Sequence, residues 1–143
     1  MNVSRTRTVA APVDAVWALV GDPYRLPAWW PRTERVEGVR RDGWTSVLRS
    51  ERGRAVRADY RVTASETRRR RAWTQAIEGT PFERLLRESA VEVTLAPADG
   101  GTAVRVTARQ RPRGMARFGW FLLRRALRRQ VAEALAALAE VVE

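Results

Sequence analysis

The chain has 143 residues, 45% hydrophobic and 30% charged, and 27 basic against 16 acidic side chains give a formal net charge of +11 at pH 7. That length and apolar content suit one domain with a real core and exclude a globally disordered chain. The absence of Cys and His excludes disulfide frameworks, thiol nucleophiles, thiolate or imidazole zinc sites and imidazole-based triads.

No apolar run approaches the roughly 18 residues of a membrane span, and the opening MNVSRTRTVAAP holds no signal-type apolar segment; the expectation is a soluble, cytoplasmic protein. Every basic residue is Arg. Nine of them fall in 101–132, where there is no acid, leaving 18 Arg against 16 acids elsewhere. Most of the excess charge therefore belongs to one C-terminal stretch.

In chain order, residues 3–9 (VSRTRTV) read as a strand ended by Ala10, Ala11 and Pro12. Pro12 suits a helix start, Asp14 complements its positive end, and Val13, Val16, Trp17 and Val20 recur at helical spacing until Gly21. Asp22 and Pro23 open a second helical turn. Pro27 and Pro31 bracket Ala28, Trp29 and Trp30, so only a brief, interrupted helix fits there.

From 33 to 114 no segment holds a 3.6-residue period. Glycine turn signals at Gly43, Gly53, Gly79 and Gly100 instead predict an antiparallel meander of about six strands. Strict alternation places Val56, Ala58, Tyr60 and Val62 on one face, then Trp73, Gln75 and Ile77, then Leu85, Ser89, Val91, Val93 and Leu95, and finally Val104, Val106, Ala108 and Gln110. After Gly114 the period returns to 3.6 and predicts a helix of about 30 residues, roughly 45 Å long. Trp120, Leu123, Leu127, Val131, Ala134, Leu138 and Val142 form its apolar stripe, which is expected to lie across the sheet. No internal repeat or linker interrupts a single domain over 1–143.

This order resembles the START-like helix-grip superfamily, and more specifically its polyketide cyclase/dehydrase and lipid-transport branch, SRPBCC. The resemblance is carried by AAPVDAVWALVGDPYRLPAWWP at 10–31, by WTQAIEGTPFERLLRESAVEVTLAPADGGTAVRVTARQ at 73–110, and by LLRRALRRQVAEALAALAE at 122–140. It implies an α+β fold, β-α-α-β6-α, in which a curved antiparallel sheet of seven strands wraps a long C-terminal helix around a cavity. It also implies a small hydrophobic ligand, such as a lipid, polyketide or aromatic metabolite; no cofactor is expected.

On that reading Tyr60, Gln75, Ser89 and Gln110 are polar groups on otherwise apolar inward faces. They either orient a ligand or satisfy one another, since a buried unpartnered polar group costs about 1–3 kcal/mol. Trp73, Val91, Trp120, Leu123 and Leu127 are candidate cavity walls, and Trp30 is a candidate gate. Trp17 reads as core. An enzyme of the cyclase, aromatase or dehydrase type is the alternative, with Tyr60 as candidate proton donor; a one-residue slip would bring Glu34, Glu78 or Glu88 inward.

The arginine run at 68–71 reads as a solvated turn. On the last helix Met115, Phe118 and Leu122 fall opposite the core stripe, with Phe121 at its margin and Arg125 and Arg129 adjacent. This suggests a surface for an anionic membrane, a protein partner or a second copy, unless Gly114 and Gly119 fold those side chains back into the core. Both monomer and homodimer remain open. Nucleic acid ranks third, because no recognition motif accompanies the charge.

Overall fold

The computed structural model describes residues 1–50 and 52–143, without the side chains of 115–117; the expectation for Met115 lies outside the described residues. The elements are β1 (Asn2–Val9), α1 (Val13–Val20), α2 (Leu26–Trp29), β2 (Thr33–Arg40), β3 (Gly43–Arg49), β4 (Ala55–Glu66), β5 (Arg70–Gln75), β6 (Leu86–Ala98), β7 (Gly101–Pro112) and α3 (Trp120–Val142). They form the expected helix-grip α+β arrangement. The seven strands make one antiparallel sheet in the order β1-β7-β6-β5-β4-β3-β2. Because β1 and β2 occupy opposite edges, the connection between them must traverse the sheet, and it does so carrying α1 and α2.

Local chemistry accounts for that connection. Pro12 precedes α1 in an extended conformation, Asp14 lies in its first turn, and the Gly21 N–H donates the last bond of the helix to the Trp17 carbonyl. Asp22 Oδ1 accepts from the Tyr24 N–H at 3.0 Å, starting a 3₁₀ turn at Pro23–Arg25 that runs into α2. Between β3 and β4, Gly43 is required by proximity: a Cβ there would lie 2.3 Å from the Tyr60 carbonyl oxygen.

The strand faces follow the sequence alternation with one displacement. Leu85, expected inward, is 58% exposed, and Leu86 faces in instead. The β6–β7 register slips between Leu86 and Glu88, and the extra residue of such a bulge exchanges the two faces upstream of it.

The last helix also departs from expectation. Residues Gly114–Gly119 form a 3₁₀ helix, and α3 begins only at Trp120, giving 23 residues, about 35 Å. Its buried side chains are Leu127, Val131, Ala134, Leu135, Leu138 and Ala139. The predicted stripe is thus core only from Leu127 onward. Trp120, expected as a cavity wall, is 54% exposed, because the first turn of α3 extends past the part of the helix that packs on the sheet. The two glycines do interrupt the α-helix, but Phe118, Phe121 and Leu122 stay exposed and are not folded back. No helix among the described residues is long and apolar enough to cross a membrane.

The run at 68–71 is mixed in character. Arg68 pairs with Asp14 and Arg70 with Glu92 at the surface. Arg71 is buried: one terminal guanidinium nitrogen donates to Ser65 Oγ at 3.0 Å, while its Nε has no partner among the described residues. It shares the inward parity of Trp73, and burial lowers its pKa while Asp22 opposes the shift.

Candidate functional site

Five neighbouring strands, β3 to β7, and the middle of α3 surround a cavity of about 160 Å³. Cross-strand register explains its lining. Trp44 lies opposite Tyr60, and Tyr60 opposite Gln75. Trp73 lies opposite Val91, and Ser89 opposite Gln110. Gln75 is two residues beyond Trp73 and Ser89 two before Val91, so Tyr60, Gln75, Ser89 and Gln110 form one polar row across β4, β5, β6 and β7. Behind it runs an apolar row of Val62, Trp73, Val91 and Ala108.

The ceiling is aromatic. Trp30 meets Trp73 edge-on at 5.8 Å between ring centroids and Trp29 at 5.5 Å, and Trp29 meets Trp73 at 6.4 Å. Trp44 approaches Trp73 at 5.7 Å and stacks on Tyr60 at 5.6 Å. Edge-to-face and stacked rings at these distances are mutually stabilising. Trp44 also donates its indole N–H to Ser46 Oγ at 3.0 Å, which fixes the surface on which Tyr60 lies.

The polar row is incompletely satisfied. Gln110 Nε2 donates to Ser89 Oγ at 3.5 Å, a long contact. The Gln75 amide nitrogen is buried in the cavity wall without a partner among the described residues. The Tyr60 hydroxyl makes no hydrogen bond among the described residues, and burial pushes its pKa up to about 12. At neutral pH it is a donor, not a base.

Gln110, Leu127 and Gln130 separate this cavity from a second hollow of about 340 Å³, lined also by Pro31, Arg32, Leu123, Ala126, Arg129 and Glu133. An apolar cavity of about 150 Å³ accommodates one benzene-sized ring, whereas sites for larger ligands run from about 300 to 1,000 Å³. The inner chamber alone therefore suits a single ring, and anything longer must cross the Gln110–Leu127–Gln130 partition.

The structure brings together Trp30, Tyr60, Trp73, Gln75, Ser89, Val91, Gln110 and Leu127 around the inner chamber. Leu123 lines only the outer hollow, and Trp120 lines neither. Phe118, Leu122 and Arg125 are exposed away from both, while Arg129 borders the outer hollow. Glu34 pairs with Arg49 at 2.9 Å, and Glu88 with Arg109 and Arg111, all outside the chamber. Sequence reasoning missed Trp44, Leu48, Phe82, Leu86 and Gln130. The inward parity of Trp44, Ser46 and Leu48 was available as a signal. For Gln130, a polar residue off the apolar stripe, none was.

The fold is shared with many solved structures. Protein TTHA0849 from Thermus thermophilus superposes with a TM-score of 0.78 at 21% identity, covering 99% of this chain and 97% of that one. Protein NE0264 from Nitrosomonas europaea gives 0.76 at 18%, covering 99% and 94%. The di-domain ARO/CYC StfQ from the steffimycin biosynthetic pathway gives 0.78 at 14%, and this chain, covered to 99%, spans 50% of it. No curated protein matches the sequence. The sequence profile of the polyketide cyclase/dehydrase and lipid transport family matches residues 1–143, and the chain therefore belongs to that family.

Proposed function

We propose that the protein binds a small, largely apolar molecule carrying a hydrogen-bonding group, with one ring in the inner chamber and the remainder crossing into the outer hollow. The observation that carries this reading is the Gln75 amide nitrogen, buried in an aromatic wall without a partner among the described residues. A protein that leaves such a group unpaired loses stability unless something else completes it. Tyr60, Ser89 and Gln110 complete the polar side, Trp73, Val91 and Leu127 the apolar side, and Leu123 borders the outer hollow. Trp30, a wall of the inner chamber next to Pro31 of the outer hollow, acts as the gate on this reading. Affinity comes from apolar area removed from water, and orientation from the polar row.

The test is native mass spectrometry of freshly purified protein beside a denatured control. A defined adduct lost on denaturation supports the reading and gives the ligand mass. No adduct, together with no thermal stabilisation across a library of lipids and aromatic compounds, sinks it.

Tyr60 favours a second reading, cyclase, aromatase or dehydrase chemistry on a polyketide-like chain. A hydroxyl kept protonated at the chamber wall can donate a proton or a hydrogen bond to a reacting carbonyl oxygen. Support by analogy comes from StfQ and from BexL of the BE-7585A pathway, both described as ARO/CYC di-domain proteins. Tyr60→Phe separates the readings: a carrier keeps its affinity within about threefold, whereas an enzyme using that hydroxyl loses turnover by about 10²-fold or more.

A further inference from the structure

Phe118, Trp120, Phe121 and Leu122 are 65%, 54%, 58% and 61% exposed, four large apolar side chains within five residues. Trp120 and Phe121 pack edge-on at 6.3 Å, so they present one aromatic knob and not two scattered rings. Contiguous apolar surface of this kind marks an interaction site.

The next turns of α3 carry Arg124, Arg125, Arg128 and Arg129, and the first acid on that helix is Glu133. None of the four pairs with a carboxylate among the described residues; the ion pairs there use Arg35, Arg40, Arg49, Arg57, Arg68, Arg70, Arg109 and Arg111. Across from Arg124 and Arg128, the edge strand β1 adds Arg5, which shares a shallow hollow with them. An apolar tip is thus bordered by guanidinium groups that no carboxylate among the described residues neutralises.

We infer that this end of α3 docks onto an anionic lipid bilayer, the tip entering the headgroup region and the arginine collar meeting lipid phosphates. Trp belongs energetically at that depth, and Arg covers apolar surface with its stem while keeping its head at the phosphates. A second copy is a poor occupant, because tip-to-tip contact sets two cationic collars against each other on chains of formal net charge +11. Duplex nucleic acid takes up the arginines but leaves the tip in water. The inference does not depend on what occupies the cavity.

Flotation of the full chain with vesicles tests it, using phosphatidylcholine alone and an equimolar mixture with phosphatidylglycerol. The protein is expected to float with the mixed vesicles and not with phosphatidylcholine alone, and raising NaCl from about 0.1 to 0.5 M is expected to weaken binding without abolishing it. Trp120→Ser combined with Phe121→Ser is expected to weaken binding about tenfold or more, as is Arg125→Glu combined with Arg128→Glu; all four residues lie outside the cavity lining, so the far-UV spectrum and melting temperature stay unchanged. The inference is overturned by failure to bind the mixed vesicles, or by binding that the serine pair leaves intact. It is equally overturned if the serine pair abolishes a dimer seen by sedimentation, or binding to a single-stranded oligonucleotide, while vesicles are not bound.

Discussion

At one end of the space between sheet and α3, Val9, Val16, Leu19, Val93, Val104, Val106, Val131, Ala134 and Leu138 are all at 0% exposure; at the other, Trp30, Tyr60, Trp73, Gln75 and Gln110 stand around a cavity. The two ends share β6 and β7, so along those strands the backbone does not decide which end is solid. Side-chain shape does. Branched aliphatic residues interdigitate to crystal-like density, whereas flat rings meeting edge-on frame a space between them. Polarity changes in step: along the inward rows the sheet passes from Leu95 and Val104, through Val91 and Ala108, to Ser89 and Gln110.

The largest expected effect breaks the filled end. Leu138→Ala removes a fully buried side chain and is expected to lower stability by about 2–5 kcal/mol, read as a shift in a denaturant midpoint. The hollow end should keep its ligand, so affinity measured on the folded fraction is expected to stay unchanged. A loss below about 1 kcal/mol would mean that this end is not the close-packed half that the comparison makes it.

A smaller effect of opposite sign sharpens the hollow end. Gln75→Met removes the unpartnered amide at similar volume, and is expected to stabilise the ligand-free protein by about 1 kcal/mol while weakening ligand binding. Calorimetry with and without ligand reads both. Stability and affinity falling together would show that Gln75 is satisfied inside the protein and serves its packing.

How much of this was legible in the sequence follows from the same contrast. Alternation over 56–62, 89–95 and 104–110 located the sheet faces, because period-two patterns survive wherever one side is dry, and it led to Tyr60, Gln75, Ser89 and Gln110. It failed at Leu85, where a bulge reversed the phase, and bulges leave no periodic trace. The helix angles were right from Leu127 to Leu138 and wrong for Trp120. A helical wheel reports which residues share a face, but not how far the sheet extends beneath that face. Trp44 shares the inward parity of Ser46 and Leu48, but that it faces Tyr60 is fixed only once the register between the two strands is known. Arg71 read as part of a solvated run because its neighbours are solvated; strand parity alone turned it inward.

The smallest effect at neutral pH is at Tyr60, and alkaline titration isolates it. Burial raises its pKa from the ordinary 10 to about 12, so the folded state holds the phenol proton more tightly than the unfolded chain. The stability linked to that proton is complete below pH 10 and is lost as pH climbs towards 12. With no Lys, His or Cys in the chain, no amine or thiol side chain titrates across the change at Tyr60. Tyr60→Phe is therefore expected to change stability little at pH 7, where the hydroxyl makes no hydrogen bond to the described protein, and to leave the variant about 1 kcal/mol more stable than the parent at pH 11. Tyr24→Phe, at a residue 64% exposed, is the control for loss of a phenol as such. Parallel pH–stability curves for parent and Tyr60→Phe would place that hydroxyl in contact with bulk water, and the hollow end would then be an open cleft, with no dry chamber to hold an apolar ring.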